Sequence, residues 1–264
     1  MRIALLTASN YNIFAISIIS RLQKQGDAVS HVVCMKSMTY RNIKKKLKQE
    51  GLGYLFMKAR ERLVSRFRDS DHSVPHSGLH EYLHSLVPHP PSSIREASKR
   101  MQFALHLTKD INSKDTISFL GSAEFDLFIY AGGGIVRKPL IELPKMGILN
   151  AHMGLLPRYR GMNVLEWSLF HGDQIGVTVH FISEGVDTGP ILLQRNIEIE
   201  NGDTIDSLRD KSLPMSVEML AETVSRLKTC QIDRIEQRKD EGKQYFAMHD
   251  RLKDSVERRK LANK

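Results

Sequence analysis

The sequence predicts an α/β fold with a mostly parallel, doubly wound sheet, and three observations carry that expectation. The chain opens as strand, helix, strand: Ile3–Thr7 is a short apolar run, 13–22 repeats apolar residues at helical spacing before Gly26, and Val29–Met35 is apolar and β-branched. Further on, Asp126 to Ala131 (DLFIYA) has the pattern of a buried strand and opens into Gly132-Gly133-Gly134-Ile135-Val136. The length of 264 residues suits one large α/β domain, or one domain with a small appendage.

The elements follow in order. The turn after the first strand has no G-x-G-x-x-G, so a dinucleotide site of that type is not expected there. Ser9 and Asn10 sit at the mouth of the next helix, where outward-facing amides suit a substrate phosphate and where helix capping is the plainer alternative. Residues 41–68 carry ten Lys or Arg against two Glu, with Ile43, Leu47, Leu55, Phe56, Leu63 and Phe67 interspersed. This reads as an amphipathic helix, or two broken near Gly51 and Gly53, most simply a solvated face packed by its apolar edge. Residues 69–93 are rich in Pro, Ser and His. His72, His76, His80 and His84 are spaced by four, with His89 beyond, which would align a metal patch on a helix. Pro75, Gly78 and Pro88 oppose an unbroken helix and no acidic or Cys cluster accompanies them, so a surface loop or substrate entrance is expected, with no metal.

Residues 94–112 read as one helix, and 115–120 as the end of another. The triple glycine lets a ligand approach the backbone closely, at the carboxyl end of a strand where α/β proteins bind ligands. A helix is expected over 162–170, strands over 174–182 and 191–199, and a helix over 204–227 broken at Pro214. One domain is therefore expected over 1–228 with a basic and His-rich insertion at 41–93, followed by a short charged tail, 229–264.

Composition narrows the function. Two cysteines, Cys34 and Cys230, argue against a disulfide scaffold and fit a cytoplasmic setting. The N-terminus is too polar for a signal peptide, and no apolar run is long enough to span a membrane. A net charge of +9 favours an anionic partner, with a small phosphate-bearing molecule ranked ahead of nucleic acid. A homodimer is compatible with the sequence.

The chemistry concentrates in 147–194. Asn150 and His152 lie two apart after an apolar run, so they share a face if the strand continues through them. Asp187 follows a second apolar run. An amide donor, an imidazole and a carboxylate can together stabilise an oxyanion, move a proton and orient the base. Taken singly, each has a plain structural reading as a turn or core residue. The stretch also contains Leu155-Leu156-Pro157, Arg160-Gly161, Gly176-Val177-Thr178-Val179-His180 and Asp187-Thr188-Gly189. In this order, these five elements resemble the catalytic core of the folate-dependent formyltransferases. That family includes glycinamide ribonucleotide transformylase, methionyl-tRNA formyltransferase and the nucleotide-sugar N-formyltransferases. One departure is Gly154, where the family usually has Ser before Leu-Leu-Pro, and a looser loop is expected.

The resemblance implies a Rossmann-like formyltransferase fold and transfer of a formyl group from 10-formyltetrahydrofolate to a primary amine, without metal. It implies Asn150, His152 and Asp187 as catalytic residues; His180, whose place is mid-strand, reads as a structural partner. It places the folate against Gly133, Gly134, Ile135 and Val136 and against Gly185 and Val186. The amine substrate would meet Ser9 and Asn10; Arg160 and Lys138 read either as holders of substrate anions or as ordinary surface charge. A nucleotide-linked amino sugar is the preferred acceptor, given the insertion, the positive charge and a tail shorter than the extra domain of the methionyl-tRNA enzymes. Glycinamide ribonucleotide or methionyl-tRNA as acceptor, a formyltetrahydrofolate hydrolase, and a non-catalytic folate or nucleotide sensor are the alternatives.

Overall fold

The computed structural model describes residues 1–36, 77–238 and 240–258, so the basic segment 41–68 and His72 and His76 lie outside the described residues. Strands β1 (Ile3–Thr7), β2 (Val29–Met35), β3 (Ala104–Thr108), β4 (Leu127–Ala131), β5 (Gly147–His152), β7 (Ile175–Phe181) and β8 (Ile191–Ile197) form one sheet. Its order is β3-β2-β1-β4-β5-β7-β8. The first five strands pair in parallel, and β5–β7 and β7–β8 are antiparallel. The chain thus winds outward from β1 to β3 and then returns to place β4 on β1's other side. The carboxyl ends of β1 and β4 flank that reversal, where open α/β sheets bind ligands.

Period-two alternation sends each strand's side chains to two cores. Ile3, Leu5, Ile129 and Leu149 join helices α1 (Ile13–Lys24) and the long C-terminal helix on one face. Ala4, Leu6, Phe128 and Ile148 face the other, against Ile111, Leu120 and Leu140. With both faces covered, all five residues of β1 are buried, which is why its sequence is a continuous apolar run.

Three expectations are corrected. Residues 77–86 form a helix, α2 (Ser77–Leu86), rather than a loop, because Leu79 and Leu83 bury one turn apart in the core. The stretch 94–112 is not one helix. α3 (Ile94–Met101) stops at Gln102, which turns left-handed, and the alternating ALHLT that follows becomes edge strand β3. The helix over 204–227 is not broken at Pro214. The long helix, Ile205–Lys228, runs through it, held by buried Leu208, Val217, Leu220 and Val224. Each such burial contributes about 1.5–3 kcal/mol, together outweighing the ~3 kcal/mol that an internal proline costs.

The described residues of 229–258 fold back on the domain. A short strand, β9 (Lys243–Tyr245), pairs in parallel with β6 (Tyr159–Gly161), Met248 is buried, and a last helix (Asp250–Val256) buries Val256.

Candidate active site

The site is built on the paired ends of β5 and β7. Asn150 lies directly opposite His180, and His152 opposite Thr178. Opposed residues of an antiparallel pair share a face, so Asn-x-His and Thr-x-His put four polar side chains on one surface. Their neighbours Val177 and Val179 pack into the opposite core.

Hydrogen bonds fix the imidazoles. His180 Nδ1 lies 2.8 Å from the Phe181 carbonyl and so carries the hydrogen. Its Nε2 then accepts from Asn150 Nδ2 at 3.1 Å. His180 is 1% exposed, and burial pushes its basicity well below the ordinary imidazole value, partly countered by Asp187 and reinforced by His152. It is a neutral, oriented acceptor that sets the roll of the Asn150 amide. One Asn150 N–H is thereby used, and the other is available to a ligand oxygen. His152 donates from Nε2 to the Tyr159 carbonyl at 2.8 Å, which turns its Nδ1 to Asp187 Oδ2 at 3.5 Å.

Asp187 reaches this cluster from the loop between β7 and β8. Its Oδ2 accepts from the Gly161 N–H at 2.9 Å, and its Oδ1 lies 3.6 Å from His180 Nε2. Its backbone is left-handed, φ 50°, a conformation Asp tolerates better than most residues and one that recurs at functional sites. Two motif glycines make the approach possible. At Gly161 an added Cβ would overlap the Tyr245 carbonyl, and at Gly189 the Phe181 carbonyl.

The loop 154–157 between β5 and β6 does not need a hydroxyl at Gly154. Thr178 donates to the Gly154 carbonyl at 2.6 Å and accepts from Leu156 N–H at 3.2 Å, while Gln194 donates to the Leu156 carbonyl at 2.7 Å. A Cβ on Gly154 would sit 2.8 Å from Val164 Cγ2. The expected loosening is therefore not what the contacts describe.

The structure brings Asn150, His152 and Asp187 together, with His180 as a fourth member that the sequence reading set aside as structural. Other expected residues sort differently. Arg160 is buried, and its Nε and Nη2 are taken by Gln237 and the Arg238 carbonyl, so it is a tether rather than an exposed anion holder. Asn10 accepts from Arg95 N–H at 3.0 Å and Ser9's carbonyl accepts from Thr7, so Asn10 docks the start of α3, while Asn12 caps α1. Val136 belongs to the core, unlike Ile135, which is 84% exposed. Lys138 pairs at the surface with Glu142 and Glu184. Gly132, Gly133 and Gly134 all have positive φ. Their turn is fastened where Tyr130 donates to the Gly134 carbonyl and Asn112 to that of Ile135. Gly185 and Val186 are exposed on the loop that carries Asp187. Gln237 escaped the sequence reading, since nothing local marks an isolated glutamine in a charged tail.

Among the described residues no group of three potential metal ligands is found, and no helix is long and apolar enough to cross a membrane.

Fold and site together define an α/β protein with an amide, an imidazole and a carboxylate converging at the carboxyl edge of its sheet. A family model described as formyl transferase matches residues 1–224, and the chain belongs to that family. Methionyl-tRNA formyltransferase of Thermodesulfovibrio yellowstonii is 42% identical over 101 residues, 38% of this chain and 33% of the relative. The chain spans a third to about half of the curated relatives it matches. Glycinamide ribonucleotide transformylase 1 of Symbiobacterium toebii has the same fold, with TM-score 0.57 and 19% identity over 89% of this chain and 94% of that one. The sugar 3N-formyl transferase WlaRD, solved in the presence of dTDP and 5-N-formyl-THF, gives TM-score 0.53 and 15% identity over 93% and 69%.

Proposed function

We propose that the protein transfers a formyl group from 10-formyltetrahydrofolate to a primary amine, with Asn150, His152 and Asp187 as the catalytic residues. The observation that carries this reading is the convergence of the oriented Asn150 amide with the His152–Asp187 pair, 3.5 Å apart. The amine nitrogen bonds to the formyl carbon, and negative charge gathers on the formyl oxygen. The free Asn150 N–H faces that charge. Asp187, fixed through Gly161, and His152, fixed through Tyr159, receive the proton that the amine nitrogen loses, and return it to the departing folate nitrogen as the second C–N bond breaks. The residues present fit the folate: exposed Ile135 and Val186 offer apolar contact beside the backbone of the glycine turn. The folate supplies the one-carbon unit, and the protein supplies orientation and charge stabilisation.

The acceptor we favour is a nucleotide-linked amino sugar. A cavity of about 500 Å³ lies between the start of α1 and residues 80–92, within the size range of small-ligand sites. Exposed Tyr11, His80, His84 and His89 line it over an apolar floor of Ile16 and Leu83, aromatic rings on which a nucleobase can stack. A second reading, methionyl-tRNA, draws on the names of the sequence relatives. The test offers purified protein 10-formyltetrahydrofolate with an amino-sugar nucleotide, with glycinamide ribonucleotide, with methionyl-tRNA, or with no amine. Formylation of the sugar nucleotide is expected. Turnover of another acceptor alone would replace this one, and formate release without amine would make the protein a hydrolase.

A further inference from the structure

We infer that Gln237, beyond the stretch that matches the family, is a positioning residue that holds Asp187 from behind; the inference rests on the formyl-transfer reading. Its amide is used at both ends. Nε2 donates to the Asp187 carbonyl at 3.1 Å and the Gly189 carbonyl at 2.6 Å. Oε1 accepts from Arg160 Nε at 3.1 Å and Nη2 at 2.9 Å. Arg160 is buried, and it immediately precedes Gly161, whose N–H grips the Asp187 carboxylate. The two halves of Asp187 are therefore held by one connected unit: the carboxylate through Gly161, the backbone through Gln237, and Arg160 joining them.

Such a clamp has a purpose here. Asp187 occupies a left-handed backbone conformation that persists only where its surroundings fix it. Gln237 can supply this because its own segment is anchored on both sides. Ile235 bridges Ile191 in the backbone, β9 pairs with β6, and Met248 N–H is held by Asn163 Oδ1 at 3.0 Å. The returning segment is thus part of the site's framework.

Gln237→Glu separates positioning from simple tethering. A glutamate keeps the acceptor for Arg160 and adds charge to that contact, but it presents an oxygen to two carbonyls that need a donor. The Gln237→Glu protein is expected to fold, with a melting temperature lowered by the two carbonyls that lose their donor, and to keep its KM for folate and amine, while kcat falls about 10–100-fold, the scale of a small misplacement of reacting groups. The Gly161 amide proton resonance, which reports the hydrogen bond to Asp187, should shift. Lys145→Ala, which removes an exposed side chain paired with Glu124, should leave kcat unchanged. Full kcat in Gln237→Glu overturns the inference, as does lost kcat with an unmoved Gly161 resonance. Gln237→Ala removes both ends of the amide, and if it fails to fold the glutamate variant still decides. If the wild-type protein has no formyl-transfer turnover, the functional reading fails instead, and the resonance shift alone still tests the clamp.

Discussion

Replacing Asn150 with alanine tests the most specific feature of the site. The amide cannot flip, because His180 spends its only hydrogen on the Phe181 carbonyl and must accept at Nε2, 3.1 Å from Asn150 Nδ2. The remaining Asn150 N–H is therefore the hydrogen aimed at ligand. Removing one such preorganised donor costs about 2.7–4 kcal/mol of transition-state stabilisation, or about 10²–10³ in kcat. The fold should survive. Asn150 contributes to β5 through its backbone pairing with Tyr130 and His180, which alanine keeps. The buried His180 Nε2 loses its donor, a cost of about 1–3 kcal/mol that would appear as a lowered melting temperature. Asn150→Asp, nearly the same shape, places an acceptor against His180 and should lose as much activity. The assay is steady-state formyl transfer with saturating folate and amine, alongside calorimetry. Activity of Asn150→Ala within about threefold of wild type would refute the oxyanion argument, since the expected loss is at least about a hundredfold.

Four further outcomes follow from the same geometry. Asp187→Asn keeps an oxygen for the Gly161 N–H and a side chain that tolerates positive φ, so it should fold normally yet lose at least about a hundredfold in kcat through loss of the carboxylate; near-normal kinetics would remove Asp187 from the mechanism. His180 is held neutral in the native state and gains a proton on unfolding below its ordinary value near 6.5; the unfolded state then binds more protons, so its contribution lowers stability as pH falls below about 6.5, by up to about 1.4 kcal/mol per pH unit, and His180→Gln should flatten that part of a denaturation-versus-pH curve. Gly154→Ser should destabilise by about 1–3 kcal/mol because its Cβ meets Val164, and urea unfolding would measure it. Chelators should leave the formyl-transfer rate unchanged; inhibition reversed by an added divalent metal would instead point to the histidine-rich stretch.

How much was legible in the sequence depended on whether a signal was local. The continuous apolar runs of β1 and β4 and the apolar spacing of α1 report burial on two sheet faces, which short-range pattern encodes directly. Asn150 and His152, two apart on one strand, could be assigned a common face for the same reason. His180 could have been added by setting Thr-x-His opposite Asn-x-His, but that requires knowing that β5 and β7 pair antiparallel with Asn150 across from His180. The helix at 77–86 and the unbroken passage through Pro214 went against local propensity, and there packing against a distant core prevailed over Gly and Pro.

What the sequence alone determined is the order of layers and the inventory of reactive groups, because hydrophobic period and residue type are properties of neighbours along the chain. Only the tertiary structure decided the use of each group. It drew Arg160 inward to Gln237, gave Asn10 to the start of α3, and set Asp187 3.5 Å from His152 across a 35-residue separation. Those assignments depend on which backbone carbonyls and amides come within hydrogen-bonding reach once the sheet is closed, and no periodicity in the chain records that.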